Sequence, residues 1–331
     1  MLVPSQLIQR LRSRLHIVDG GFATELEKRG HDISGRLWSG HVLLTDPEAI
    51  EDLHFDYLMA GADIVITSTY QLSLQGMADM GYTEDQGHRA LIRSVECGLK
   101  ARQRWLNSAT ERQRTELPLI AASIGPYGAS RADGSEYTGD YDLDYAGLYQ
   151  FHYERARLLV ETNCDLLAFE TVPSLTEAEV LGDLIREMEN PPAWISFCCR
   201  DGDHISDGTH ISKAAQRVLE RCPDLVAIGV NCTSPQYVES LLGYIADIGD
   251  PLVITYPNSG ETWNAAGRCW EGESDPDDYT DYAKKWIDAG AGLIGGCCRT
   301  GPAHIRALKQ KFVAKPTLYR TLLVTDPHES T

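Results

Sequence analysis

Cationic residues are scarce in this 331-residue chain: 30 Lys and Arg stand against 48 Asp and Glu, a net charge of −18 at pH 7. A field of that sign repels polyanions, so neither nucleic acid nor an anionic membrane surface is expected as a partner. A cationic small molecule is mildly favoured. No run of about 18 apolar residues occurs, and no transmembrane helix is expected. The N-terminal MLVPSQLIQRLRSRLHIVDGG lacks the uninterrupted apolar stretch of a secretory signal and reads as a lead-in helix before a strand near Leu15. Nucleotide signatures are missing too. DGGFATELEKRG at 19–30 does not match G-x-G-x-x-G, and G-x-x-x-x-G-K-[ST] is found nowhere, which disfavours a doubly wound dinucleotide fold.

Cysteine is present but in the wrong pattern for a disulfide scaffold. Nine in a chain this long, with adjacent pairs at Cys198-Cys199 and Cys297-Cys298, suit a reduced, cytoplasmic protein. In that compartment cysteine means core packing or metal chemistry.

Eight short apolar runs follow one another at 15–21, 62–69, 118–126, 164–172, 193–200, 225–232, 251–258 and 291–298. Each is nearly continuous in apolar residues, as strands buried on both faces are. Helical patterns lie between them, at 45–60, 84–106, 142–162, 176–189, 209–221, 235–248, 277–289 and 302–312. The first carries Thr45 and Glu48 at capping-box spacing, Pro47 in its first turn, and an apolar face of Ile50, Leu53, Tyr57 and Leu58. Eight alternations in roughly 300 residues predict an α/β fold, a (β/α)8 TIM barrel. The barrel is expected as a single domain over 1–312, with a C-terminal tail over 313–331. Long loops after strands 3 (125–141) and 7 (258–278) belong at the C-terminal mouth, where barrel active sites lie.

Cys232 ends the sixth run, and Cys297 with Cys298 ends the eighth. In a barrel these ends share one rim about 10 Å apart, close enough for their thiolates to meet on one ion. Both members of the Cys297-Cys298 pair can point the same way only if the strand has ended, and Gly295-Gly296 is expected to supply the backbone freedom. Three thiolates with one position open is the pattern of a catalytic zinc site. Packing in the core is the competing reading, and it is the one given to Cys198-Cys199; Cys97, Cys164, Cys222 and Cys269 have no evident partners. A fourth, substrate thiolate fits the open position, and the reaction class is alkyl transfer to sulfur. Two alternatives stay open: a phosphate-binding barrel lyase or isomerase using the glycine-rich end of strand 8, and a non-catalytic zinc- or thiol-binding module.

At these residues the sequence resembles the homocysteine S-methyltransferase family. The matching segments are DGGFATELEKRG (19–30), GADIVITSTYQ (61–71), SIGPYGA (123–129), DGSEYTGDY (133–141), LLAFETVP (166–173), GVNC (229–232), YPNSGE (256–261) and GGCCRT (295–300). They run in order through nearly the whole chain and fade near Lys309. The likeness is greatest to the branch using S-methylmethionine or S-adenosylmethionine.

The resemblance implies a zinc-bearing barrel that methylates the zinc-bound thiolate of homocysteine to give methionine. Cys232, Cys297 and Cys298 match the family's Zn2+ ligands. Asp19, Gly20, Gly21 and Glu170 match positions that hold the amino-acid part of homocysteine: carboxylates can pair with an α-ammonium, and glycine N–H groups can receive an α-carboxylate. Asp19 has a competing reading as a helix N-cap. A sulfonium donor calls for aromatic faces and carboxylates, and the mouth loops offer Trp38, Tyr127, Tyr137, Trp263, Glu136 and Glu261. Asn231 is a candidate oxygen ligand before substrate arrives. Donor preference, selenocysteine as a further acceptor, and oligomeric state are left open.

Overall fold

The structure, a computed structural model, describes residues 3–35, 37–108, 116–249, 251–264, 269–271 and 275–313, with the backbone alone for 262–264 and 269–271. Each of the eight apolar runs contains a strand. These are β1 (His16–Ile17), β2 (Ile64–Ile66), β3 (Leu119–Ile124), β4 (Leu166–Val172), β5 (Ala193–Phe197), β6 (Ala227–Asn231), β7 (Val253–Tyr256) and β10 (Ala291–Ile294). A small antiparallel pair, β8 (Thr262–Asn264) and β9 (Cys269–Glu271), lies in the loop after β7.

The eight strands pair in parallel in the order β1-β10-β7-β6-β5-β4-β3-β2. The ring closes through a Val18–Ile64 bridge and two backbone bonds, Asp63 N to Ile17 O at 2.6 Å and Asp19 N to Ile64 O at 3.0 Å. The expected α/β barrel is therefore the fold observed. Seven of the eight strands stop before the C-terminal end of their run, and residues beyond the ladder build the cavity; β4 reaches the end of its own at Val172.

Two apolar layers follow from burial on both faces. The outer layer packs strands against helices, with Leu53, Tyr57, Leu181 and Trp286 fully or almost fully buried. The inner one fills the barrel with Val18, Ile64, Ala121, Ala168, Trp194, Ile254 and Leu293. The lead-in helix Pro4–Arg12 belongs to that inner layer. Its Leu7 and Leu11 bury fully against residues at the strand starts, such as Leu119, Val226 and Leu252, so the helix plugs the N-terminal end. The tail beyond Val313 lies outside the described residues.

The capping box expected at Thr45 and Glu48 is not formed. Thr45 ends a short preceding helix, Ser39–Thr45, and its hydroxyl donates to His41 O at 2.9 Å. The next helix, Pro47–Ala60, is capped one residue later by Asp46, whose carboxylate accepts from Ala49 N at 3.3 Å. Helices Phe22–Lys28, Ser39–Thr45, Leu74–Asp79 and Tyr127–Arg131 were not in the sequence pattern. At five to seven residues they are too short to show helical periodicity.

Candidate metal centre and substrate cavity

The Sγ atoms of Cys232, Cys297 and Cys298 lie within 4.8 Å of one another, with Cys232 and Cys298 at 3.8 Å. Their strands, β6 and β10, stand on either side of β7, the two-strand separation expected from the sequence. Cys232 sits just past β6 with φ +48, a left-handed backbone that is strained for a residue with a Cβ and turns the thiol off the strand direction. Cys297 and Cys298 lie beyond the end of β10 at Ile294, so strand alternation no longer separates them.

The glycines before this pair act differently from expectation. Neither Gly295 nor Gly296 has a positive φ; the left-handed residue of the turn is Arg299, at φ +68. What glycine provides is space, since a Cβ on Gly296 would come within 2.2 Å of Thr300 Oγ1. The turn is then fixed by Thr300 N and Oγ1 donating to Cys297 O at 3.1 and 2.7 Å. Two buried tyrosines, unassigned from sequence, brace it. Tyr57 Oη donates toward Gly21 O and Thr300 O at 3.1 and 3.2 Å, and Tyr279 Oη toward Pro257 O and Gly295 O at 3.0 and 2.8 Å.

Within the cluster the thiols oppose one another. The Cys297 thiol is pushed up by hydrogen bonding to Cys232 and Cys298 and by burial, while Cys298 is held low because both neighbours donate to it. Three cysteine sulfurs this close would repel one another as thiolates, a charge that a bound dication offsets. Three soft sulfurs at this separation suit Zn2+ by donor type and by bond length, about 2.3 Å.

The three sulfurs open into a cavity of about 980 Å³ that Asp19, Gly20, Gly21 and Glu170 also line. Glu170 ends up buried inside the barrel, where Ser123 Oγ donates to its Oε1. Burial pushes its carboxyl up to about 7, with the Cys232 sulfur adding to the rise and the Ser123 and Tyr256 hydroxyls opposing it. Asp19 is also buried and raised, by burial first and by the charge of Glu170, although Ile66 N donates to it at 2.8 Å. Asp19 is not a helix N-cap; Gly21 occupies that position in Phe22–Lys28. Among the described residues no cationic side chain pairs with either buried carboxyl, an arrangement that suits an ammonium group. Gly21 N–H is already spent on Thr300 O, at 2.7 Å. Among the described residues no partner takes the N–H of Gly20.

The donor-side candidates divide. Trp38, Tyr137 and Glu261 line the cavity, with Tyr137 Oη 3.5 Å from Cys232 Sγ. Glu261 is committed to an ion pair with Arg299 at 3.0 Å. Tyr127 is not on the wall: its N–H donates to Glu177 Oε1 at 2.7 Å, and its ring packs edge-on against Tyr141 and Phe151. Glu136, next to Tyr137 in the chain, is buried and does not line the cavity; its Oε2 has no partner among the described residues, and its carboxyl is pushed up to about 7 by burial and by the nearby Cys232 sulfur. The Trp263 side chain lies outside the described residues. Tyr70, unassigned from sequence, joins the aromatic wall 6.4 Å from Trp38.

Two further expectations are corrected. Asn231 does not face the sulfurs: its Oδ1 accepts from Thr171 N at 2.7 Å and Ser196 Oγ at 2.8 Å, and its Nδ2 donates to Thr171 Oγ1 at 2.8 Å. It holds Thr171 in a left-handed conformation, φ +61, directly after Glu170. Cys198 and Cys199 are buried as expected of packing, yet both also line the cavity. The phosphate-binding alternative loses its basis. The N–H groups of Gly295, Gly296 and Cys297 are bonded internally, to Thr255, Asp19 and Pro257 carbonyls.

Residues 16–312 match the family model described as homocysteine S-methyltransferase. "Homocysteine S-methyltransferase 3" of Arabidopsis thaliana is 40% identical, over 91% of this chain and 90% of its own length. "Selenocysteine Se-methyltransferase" of Brassica oleracea var. italica is 38% identical, over 94% and 93%. The crystal structure of the Escherichia coli homocysteine methyltransferase MmuM in its metallated form superposes with a TM-score of 0.82 at 38% identity, covering 93% of this chain and 99% of that one. With its barrel, its three converging cysteines and these matches, the chain belongs to the homocysteine S-methyltransferase family.

Proposed function

We propose that this chain transfers a methyl group from a sulfonium donor, S-methylmethionine or S-adenosylmethionine, to the sulfur of homocysteine, with Zn2+ held by Cys232, Cys297 and Cys298. The observation that carries this reading is the convergence of three sulfurs in the same cavity as Asp19 and Glu170. Bound zinc supplies one thing, a substrate sulfur kept deprotonated and nucleophilic at neutral pH.

The protein's own residues do the rest. Asp19 and Glu170 receive the α-ammonium of homocysteine, whose charge relieves their mutual repulsion, and Gly20 N–H receives the α-carboxylate. Trp38, Tyr70 and Tyr137 offer ring faces to the sulfonium, and the Glu136 carboxyl, next to Tyr137 but off the cavity wall, adds charge at one remove. Glu261 is less suited to that task because Arg299 already neutralises it. The substrate sulfur's electron pair forms the new C–S bond as the donor's S–CH3 bond breaks. The donor leaves as a neutral thioether, so no general acid is needed, and an acceptor sulfur that has already given up its proton on binding needs no general base.

The test is zinc content and methionine formation from homocysteine and S-methylmethionine, in wild type and Cys298→Ala. Wild type is expected to hold about one zinc per chain, and the variant to lose the metal and at least about a hundredfold of its rate. Full activity in a metal-free variant overturns the reading. A donor panel on the same sample ranks the two sulfoniums, and selenocysteine is included among acceptors.

A further inference from the structure

The loop after β3 brings Tyr137 to the sulfurs, its Oη 3.5 Å from Cys232 Sγ, and one side chain holds the loop at both ends. Glu177, in the first turn of the helix Leu175–Glu187, is completely buried. Its Oε1 accepts from Tyr127 N at 2.7 Å, where the loop begins. Its Oε2 accepts from the Tyr141 hydroxyl, where the loop ends. Oε1 also accepts from His152 Nε2 at 2.8 Å.

Behind His152 stands a second buried charge. Arg155 Nη2 donates to His152 Nδ1 at 3.2 Å and to Gly125 O at 2.7 Å, at the loop's first residue. Arginine can only donate, so Nδ1 is the acceptor and the ring proton sits on Nε2, facing Glu177. Burial lowers the His152 pKa, which keeps the imidazole neutral between the two charges. Burying a carboxylate and a guanidinium is a costly way to secure a surface loop if stability alone is at stake, because apolar packing does so more cheaply. What directional bonds add is orientation.

We propose that Glu177 is a positioning residue for the methyl donor: by bridging Tyr127 and Tyr141 it sets where Tyr137 stands beside the sulfurs, and so tunes donor affinity. This rests on the methyl-transfer reading above.

Steady-state kinetics with varied homocysteine and varied S-methylmethionine test it, with zinc content and melting temperature measured on the same samples. Tyr141→Phe deletes one bond, the one to the buried Glu177 carboxylate at the loop's end, and keeps every charged side chain in place. It is expected to raise donor KM about tenfold and lower the melting temperature by a few degrees, while homocysteine KM and zinc content stay near wild type. Glu177→Gln keeps acceptors for Tyr127 and His152 and can donate to Tyr141, but leaves Arg155 uncompensated. Its melting temperature is expected to fall while donor KM stays within about threefold of wild type. An active Tyr141→Phe with unchanged donor KM overturns the proposal, as does a donor KM that simply tracks melting temperature. A wild type that forms no methionine overturns the methyl-transfer reading itself, a distinguishable result.

Discussion

Glu170 shows what enclosing a carboxyl inside the barrel does to stability. Its folded pKa, about 7, lies above the ordinary glutamate value near 4.3, so between those limits the folded chain holds more protons than the unfolded one. Stability therefore falls as pH rises through that window. Glu170→Gln is expected to leave the substrate-free protein more stable than wild type at pH 8, by up to roughly 3 kcal/mol, and about equal at pH 4. Urea unfolding at the two pH values checks this, and equal differences at both would refute it. The same variant should raise homocysteine KM at least about tenfold, since a buried ammonium then faces a neutral amide. The carboxylate was legible in the sequence because an acid following LLAF has to find a buried partner. The acceptor role of Asn231 toward Thr171 was not, since being next to Cys232 says nothing of the direction in which the amide points.

At the scale of elements, eight apolar runs foretold eight strands, but not where each one stops. Ladder hydrogen bonds give way to side chain–backbone bonds at the C-terminal ends, as at Asp19 with Ile66, and no residue type marks that exchange. The tyrosines at 57 and 279 make the same point. Helical spacing placed Tyr57 on a buried face, but only the assembled barrel decides which carbonyls its hydroxyl meets. The lead-in helix has a definite task. Leu11→Ala empties part of the plug and is expected to cost about 2–5 kcal/mol, the range for large-to-small changes in a packed core. Because Leu11 does not line the cavity, kcat and both KM values should stay near wild type in the cold. A thermal melt and an assay at low temperature separate the two effects.

Across the whole molecule, closure of the ring depends on Asp63. It accepts from Ile17 N at 2.9 Å, from Arg14 Nη1 at 3.1 Å, and from Lys309 Nζ at 2.8 Å, so it ties β1, the lead-in segment and the last helical segment together. Burial alone would raise this carboxyl; hydrogen bonding to Arg14 and the charges of Lys309 and Arg14 overcome it and hold the pKa at about 2. The stabilisation is present above the ordinary Asp value and is lost as pH falls through about 2. Asp63→Asn is expected to cost roughly 2 kcal/mol at pH 7, with the difference shrinking as pH drops toward 2. Denaturant midpoints across that range decide it.

By itself the amino-acid order determined the class of fold and which cysteines converge at one rim. Period and chemistry are local properties: apolar runs alternating with helical spacing specify parallel strands and crossovers, and cysteines at two strand ends specify where sulfur can gather. Tertiary structure alone decided three things. It raised the pKa of Glu170 by enclosing it, and it spent the Gly21 N–H on Thr300. It also placed Tyr127 against the barrel's flank instead of over the metal site. Each depends on which distant backbone or side chain arrives next to a given atom, and hydrogen bonding and desolvation respond to those neighbours, not to sequence spacing.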